Sequence, residues 1–245
     1  MSEEKELTKA YDLAAEKYLF TRTKGKESSG FFNREIEQPT MFKLVPLNLE
    51  DKKILDIGCG PGIHLREYIV RGAEGFGIDV SSEMIKLPKE HCVGVYFNAG
   101  SAYNLEFEDA FFDVVTASFV LDHVKDLSKA VKEVKRVLKE NGLFIFSIPH
   151  PIINMFRESE RGKFAPSHNY FCRDARYVNI VKSCEKFLDF PLPLQDYFKV
   201  FLREGFVLVD FLESEPDEKW KEKFENFNTD LLKIPIVAFF KWKKG

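Results

Sequence analysis

Apolar residues recur at helical spacing from residue 3 to about 19, with Leu7, Ala10, Tyr11, Ala14, Ala15 and Tyr18 on one side. Residues 21–30 are polar, contain Gly25 and the Ser28-Ser29 pair, and read as a loop. Helical spacing returns over 31–46 through Ile36, Met41, Phe42, Leu44 and Val45. The pattern then changes to short apolar runs divided by helical stretches. The runs at 54–57, 75–79, 93–97, 111–118 and 143–148 are apolar on both faces or nearly so, as in strands of a sheet covered on both sides. Between the fourth and fifth runs, Leu127, Ala130, Val131, Val134, Val137 and Leu138 form one helical stripe. Asp126 is its expected cap, Asn141-Gly142 its expected stop, and Lys132, Glu133, Lys135 and Arg136 its solvated face.

Past Pro149-His150-Pro151 the chain loses periodicity until about residue 192. A helix is expected over 195–204, stopped by Gly205, with further strands over 206–212 and 234–242. Pro235 suits the first residue of the last strand, where a missing N–H is tolerated. The stretch 213–233 shows no clear crossover helix, which predicts that these two strands pair antiparallel. The expectation is an α/β chain with a helical lid over 1–50 and one domain over 51–245, carrying a substrate-side insertion at about 150–192.

The first strand leads into the chemistry. Asp56 is followed by Gly58, Gly60 and Gly62, and helical spacing starts at Ile63. Glycines permit positive φ and close approach of a ligand to the backbone. The helix N-terminus beyond them offers unpaired N–H groups to an anionic group. A dinucleotide fingerprint needs glycine spacings of two and then three, whereas here both are two, with Pro61 inside the turn. The second strand closes on Asp79, near the offset of roughly twenty residues at which an acid reaches a ribose diol. A carboxylate suits that task because it accepts hydrogen bonds from both vicinal hydroxyls; the alternative is a cap for the next helix, a role open to Ser81 or Ser82. Met84 is placed to press on a flat ring or to pack in the core. Phe119 and His123 leave the end of the fourth strand, where open α/β sheets bind ligands.

Composition narrows the classes. Hydrophobic residues make up 44% and charged residues 31%, as in ordinary globular chains, and 25 Phe residues predict aromatic cores and pockets. A net charge of -3 gives no reason to expect nucleic acid or an anionic membrane as partner. Cys59, Cys92, Cys172 and Cys184 are scattered, with no metal-ligand spacing, and read as reduced thiols of a cytoplasmic protein. Residues 1–9 are charged and lack the apolar core of a signal peptide, and no apolar run approaches membrane-spanning length.

Asp56-x-Gly58-x-Gly60-x-Gly62 resembles motif I of the class I S-adenosylmethionine-dependent methyltransferases. The resemblance covers roughly residue 52 to the C-terminus. It implies a seven-stranded Rossmann-like sheet, mostly parallel, with an antiparallel C-terminal strand pair. Tyr11-Asp12 and Ala15-Glu16-Lys17-Tyr18 are similar to the N-terminal segment of the small-molecule subgroup that includes ubiquinone and menaquinone methyltransferases, where a tyrosine near Tyr18 closes over the cofactor. Asn33, Glu37-Gln38-Pro39, Met41, the run Ser147 through Pro151 and Glu215-Pro216 are similar to a broad set of uncharacterised members. The resemblance implies S-adenosylmethionine as cofactor, S-adenosylhomocysteine as product and a small-molecule acceptor. The cofactor-binding residues it implies are Tyr18, Asp56, Gly58, Gly60, Gly62, Asp79, Met84, Ser101, Ala102 and Phe119. In the family an acid or amide at the Ser101 position binds the adenine amino group; here a serine stands there, and Glu106 replaces a proline. Where the acceptor carries a proton a base is needed, with His123 and His150 as candidates; His64, His91 and His168 have no better claim. No metal site is expected. The competing readings are a non-catalytic cofactor-binding module and an NAD-type oxidoreductase.

Overall fold

The computed structural model describes residues 2–25, 28–87, 92–158, 164–166, 169–181, 184, 186–223 and 229–245. Helix α1 (Glu3–Thr23) opens with Glu3, Glu4 and Glu6 at the positive end of its dipole. A short helix α2 (Ser28–Phe32), a π-helical turn (Asn33–Glu37) and helix α3 (Gln38–Leu44) follow. The central elements come next: β1 (Lys53–Ile57), α4 (Ile63–Val70), β2 (Glu74–Asp79), α5 (Ser82–Lys86), β3 (Tyr96–Ala99), β4 (Phe112–Ser118), α6 (Leu127–Val137) and β5 (Leu138–Pro149). After β5 come two small hairpins, β6 (Phe156–Glu158) with β7 (Phe164–Pro166) and β8 (Arg176–Val178) with β9 (Phe187–Asp189). Helix α7 (Leu194–Arg203), β10 (Phe206–Glu213), α8 (Trp220–Lys223) and β11 (Val237–Lys244) complete the chain.

Seven strands form one sheet in the order β10-β11-β5-β4-β1-β2-β3. The pairs β1–β2, β2–β3, β1–β4 and β4–β5 are parallel, and β11 runs antiparallel to both β5 and β10. This is the expected sheet, with its antiparallel C-terminal pair. Strand order reverses between β1 and β4, so the crevice for a ligand lies beyond their carboxyl ends.

Period-two alternation puts two cores on the two faces. Leu55, Val115, Ala117, Phe144, Phe146, Phe240 and Trp242 point to the side covered by α6 and α7. Ile54, Val114, Ile145 and Phe239 point to the other, covered by α3 and α4. That second face also carries polar positions in register: Asp56 sits opposite Thr116, and Ser118 opposite Ser147.

Four boundaries differ from the expected ones. β3 starts at Tyr96 rather than Val93, because Val93 is exposed and Gly94 turns with φ 82° before pairing with β2 begins. α6 ends at Val137, since Leu138 is already extended and opens β5; Asn141, at φ 63°, bends the strand instead of stopping the helix. α1 runs on to Thr23 through residues expected in a loop. Arg34 holds its end by donating to the carbonyls of Thr21, Arg22 and Gly25. β11 begins at Val237, two residues past Pro235, and extends to Lys244 because both neighbours keep pairing with it.

Candidate functional site

The carboxyl ends of β1, β2 and β4, covered by α1, enclose a cavity of about 360 Å³. Its floor is the bend after β1. A Cβ on Gly58, at φ 66°, would meet Val120 Cγ2 at 2.3 Å, so only glycine fits where that bend crosses the β4 loop. Gly60, at φ 49°, faces open space toward Tyr18, whose Cε1 is 4.0 Å from the position of a Cβ there.

Asp79 fixes this bend to β2. Its Oδ2 accepts from Gly60 N at 2.9 Å, and its Oδ1 accepts from Ser81 N at 2.9 Å. Asp79 also lines the cavity, and a carboxylate oxygen can accept more than one hydrogen bond. The helix cap is supplied separately: Ser81 Oγ accepts from Met84 N at 3.1 Å. Met84, Val80, Gly100, Ala102 and Val120 also line the cavity.

Phe119 lines the same space with φ 51°. A bulky side chain in the left-handed region is strained, and such strain collects at ligand sites. The surrounding bonds hold it: its N–H donates to the Ser147 carbonyl at 3.1 Å. Beyond it, His123 Nδ1 donates to the Leu188 carbonyl at 2.7 Å, which leaves Nε2 as the acceptor of the Tyr11 hydroxyl at 3.1 Å. Burial, and then the neighbouring Tyr18, Asp122 and Asp79, push the Tyr11 phenol well above its ordinary range, so it stays protonated and donates.

α1 contributes Glu4, Leu7, Tyr11 and Tyr18 to the cavity. It is latched by Asp12 Oδ1, which accepts from Ser81 Oγ at 2.6 Å and from Glu83 N at 3.2 Å. The insertion reaches it as well: Phe190 lines the cavity, the Phe187 ring lies 4.7 Å from that of Tyr11, and Tyr177 donates to Glu6 at 2.7 Å. Arg22 is buried, with its guanidinium carbon 5.5 Å from the centre of the Tyr18 ring and its Nε without a hydrogen-bond partner.

Beneath the bend lies a buried polar layer. Glu37, from the π-helical turn, accepts from Ser118 Oγ at 2.6 Å and Ser147 Oγ at 2.8 Å, and pairs with His64 Nε2 at 3.1 Å. Burial works to raise the Glu37 carboxyl, but the charge and hydrogen bond of His64 outweigh it and hold it below its usual value. The same pair raises His64 against its own burial. Asp56 takes the Thr116 hydroxyl at 2.8 Å, and burial lifts its pKa to about 6 despite His64 and Thr116.

Of the residues expected at the site, Tyr18, Gly58, Gly60, Asp79, Met84, Ala102, Phe119 and His123 converge on the cavity. Asp56 lies below it in the polar layer, Gly62 sits at the start of α4 against Phe97 and Cys92, and Ser101 is held by Glu4 rather than lining the wall. His150 is elsewhere. Its Nε2 donates to Glu213 at 2.8 Å while Nδ1 accepts from Ile152 N, which makes it a brace of the loop after β5. His91 and His168 lie outside the described residues. Glu4 and Tyr11 are the additions, with Arg22 beside Tyr18. The spacing of Leu7, Tyr11 and Tyr18 along one helix face marks the covering side, but helical spacing alone does not distinguish packing on a core from covering a cleft.

Comparison with known proteins agrees with this geometry. Residues 55–146 match the family model described as a methyltransferase domain. An uncharacterised protein of Haemophilus influenzae is 37% identical over 138 residues, covering 53% of this chain and 54% of its own length. Demethylmenaquinone methyltransferase of Paenarthrobacter aurescens is 36% identical over 107 residues, covering 43% of this chain and 42% of its own. The chain thus spans about half the length of the curated relatives it matches. A solved structure from Listeria monocytogenes, assigned to the S-adenosylmethionine-dependent methyltransferases, superposes with a TM-score of 0.74 at 25% identity, over 85% of this chain and 96% of that one. Sheet order, glycine bend, placed carboxylate and these likenesses agree: residues 55–146 match a methyltransferase domain, and the fold around them is similar to that of a solved S-adenosylmethionine-dependent methyltransferase.

Proposed function

We propose that this chain transfers the methyl group of S-adenosylmethionine to a small-molecule acceptor by in-line displacement. The carrying observation is that one cavity joins the side-chain-free bend at Gly60 to the Asp79 carboxylate. These two fit an amino-acid tail lying on the backbone and a ribose held by its hydroxyls. The cavity's apolar walls suit the adenine, and Arg22 supplies positive charge beside the Tyr18 ring. When bound, the cofactor supplies an electrophilic sulfonium methyl.

The chain's own residues then align and seal. α1 acts as a lid over residues 51–245, and with Phe190 it walls off a space suited to a metabolite rather than a polymer. Holding nucleophile and methyl in line contributes roughly 7–11 kcal/mol of the barrier reduction. Cleft closure by a lid also excludes water. His123 serves as general base for an acceptor that carries a proton. It acts through Tyr11: the Tyr11 oxygen takes the acceptor's proton as the Tyr11 hydroxyl proton passes to His123 Nε2, and Leu188 fixes the tautomer that leaves Nε2 as the acceptor. His150 takes no part in this reading.

Titration calorimetry tests the cofactor. S-adenosylmethionine and S-adenosylhomocysteine are expected to bind and NAD is not; tight NAD binding without a response to either sulfur nucleoside overturns the reading. A panel of quinols, phenols and amines, assayed for methyl transfer, then identifies the acceptor class. With an acceptor in hand, His123→Gln is expected to lower kcat by roughly 10²–10⁴ and to leave S-adenosylhomocysteine affinity unchanged. An unaltered kcat removes His123 as the base.

A further inference from the structure

We infer that Glu4, carried on the covering helix α1, reads the amino edge of the cofactor's adenine, so that base recognition comes from the lid and not from the sheet. This rests on the cavity being the S-adenosylmethionine site.

Gly100 N donates to the Asp79 carbonyl at 2.9 Å, which places Ser101 and Ala102 directly beyond the carboxylate assigned to the ribose. A base attached to that ribose runs between Val80, Met84 and Ala102 toward this end of the cavity. A serine hydroxyl has one proton to give and little charge to offer. Here that proton is already given: Ser101 Oγ donates to Glu4 Oε1, and Ser101 Oγ itself accepts from Tyr103 N at 3.1 Å. The group presented at this end is therefore the Glu4 carboxylate, which lines the cavity while Ser101 does not.

The neighbouring charges leave Glu4 free for the task. Lys125 is taken by Glu3 at 2.5 Å, and Lys129 lies over the Tyr103 ring at 5.4 Å. Among the described residues Glu4 forms no ion pair, and Ser101 is the one side chain hydrogen-bonded to its carboxylate. A carboxylate has about four acceptor positions and no donor, so it selects a base edge that donates. The exocyclic amine of adenine donates; the carbonyl of hypoxanthine at the same ring position repels it. Because Glu4 sits in the first turn of α1, and Asp12 latches the same helix to α5, adenine recognition and lid docking are one event.

The test is calorimetry with S-adenosylhomocysteine and S-inosylhomocysteine, which differ at C6, where a carbonyl replaces the amine, and at the adjoining N1, which gains a proton. The wild-type chain is expected to favour the adenine compound by at least roughly tenfold, the worth of a hydrogen bond to a charged group. Glu4→Gln is expected to bring the ratio to about one, because a side-chain amide donates as well as accepts. Adding Ser101→Asp to Glu4→Gln is expected to restore the preference by returning a carboxylate to the same edge. Melting temperatures of wild type and both variants check that folding is intact. If wild type binds S-adenosylhomocysteine and Glu4→Gln keeps the wild-type ratio, Glu4 is not the reader. If wild type binds neither compound, the cofactor site itself is wrong.

Discussion

Asp79 carries two tasks at once, and that sets the size of its substitution effect. It accepts from Gly60 N and Ser81 N while facing the cavity, so it shapes the bend as well as lining the space proposed for the cofactor. Asp79→Asn keeps the volume but turns one acceptor into a donor, facing either an N–H of the chain or a ligand hydroxyl. The expected outcome is a loss of S-adenosylhomocysteine affinity of roughly tenfold to a hundredfold, read by calorimetry, with Tm lowered only modestly. Unchanged affinity removes Asp79 from the site. Asp79 was legible in the sequence because an acid closing an apolar strand stands out. Asp56 was equally visible, yet it serves the layer beneath: spacing shows that a carboxylate stands at a strand end, not which side of the sheet it faces. Glu37 shows the limit more sharply. In the sequence it belongs to an amphipathic run, and only the packing of the π-helical turn onto the sheet brings it to Ser118, Ser147 and His64. A segment inside a helix at such a place is a common mark of a functional constraint.

At the scale of elements, that buried pair ties the π-helical turn to α4, while Ser118 and Ser147 tie it to the sheet. Glu37 is fully buried, and His64 nearly so, beneath the bend. Removing one member of a buried ion pair costs about 3–5 kcal/mol, since the other is left charged and unpaired. His64→Gln is thus expected to lower Tm by roughly 10 °C. The pH dependence has a definite sign. His64 is raised in the fold, so its contribution is complete below its ordinary value of 6.5 and is lost as pH rises through the raised one. Glu37 is lowered, so its contribution is present above 4.5 and is lost as pH falls through the lowered value. Asp56, raised to about 6 mainly by burial, opposes the folded state increasingly from 3.8 up to that value. The Tm gap between wild type and His64→Gln should therefore be widest near pH 6 and close as pH rises past the His64 value. A gap that stays constant from pH 6 to 9 rules out the charged pair. The strands themselves were legible, because apolar runs between helical stretches encode a parallel sheet. Their ends were not: Gly94 and Asn141 move them by local turns that hydrophobicity does not record.

The whole molecule couples three parts around one cavity: the sheet ends, the covering helix and the insertion. α1 binds α5 through Asp12, and the insertion binds α1 through Tyr177 and Phe187. The Asp12 and Tyr177 contacts lie outside the cavity wall while Tyr11 faces both Phe187 and the cavity, so a ligand beneath the cover stabilises the assembly as a unit. A ligand at a hundred times its Kd adds about 2.7 kcal/mol, which for a chain of this size corresponds to a Tm increase of roughly 5–10 °C. S-adenosylhomocysteine should give that increase, and NAD none. Asp12→Ala isolates the role of the cover, because it cuts two hydrogen bonds to α5 without touching the cavity wall. Part of the binding energy must then go into docking a loosened helix, so affinity should fall by roughly tenfold. At a fixed ligand concentration the Tm increase should shrink by about half. Proteolysis gives an independent reading: cleavage within α1 should be faster in Asp12→Ala and slowed by S-adenosylhomocysteine in both proteins. If Asp12→Ala shows the full wild-type increase and the same protection, the latch is packing alone, and α1 covers the cleft whether or not the cofactor is bound.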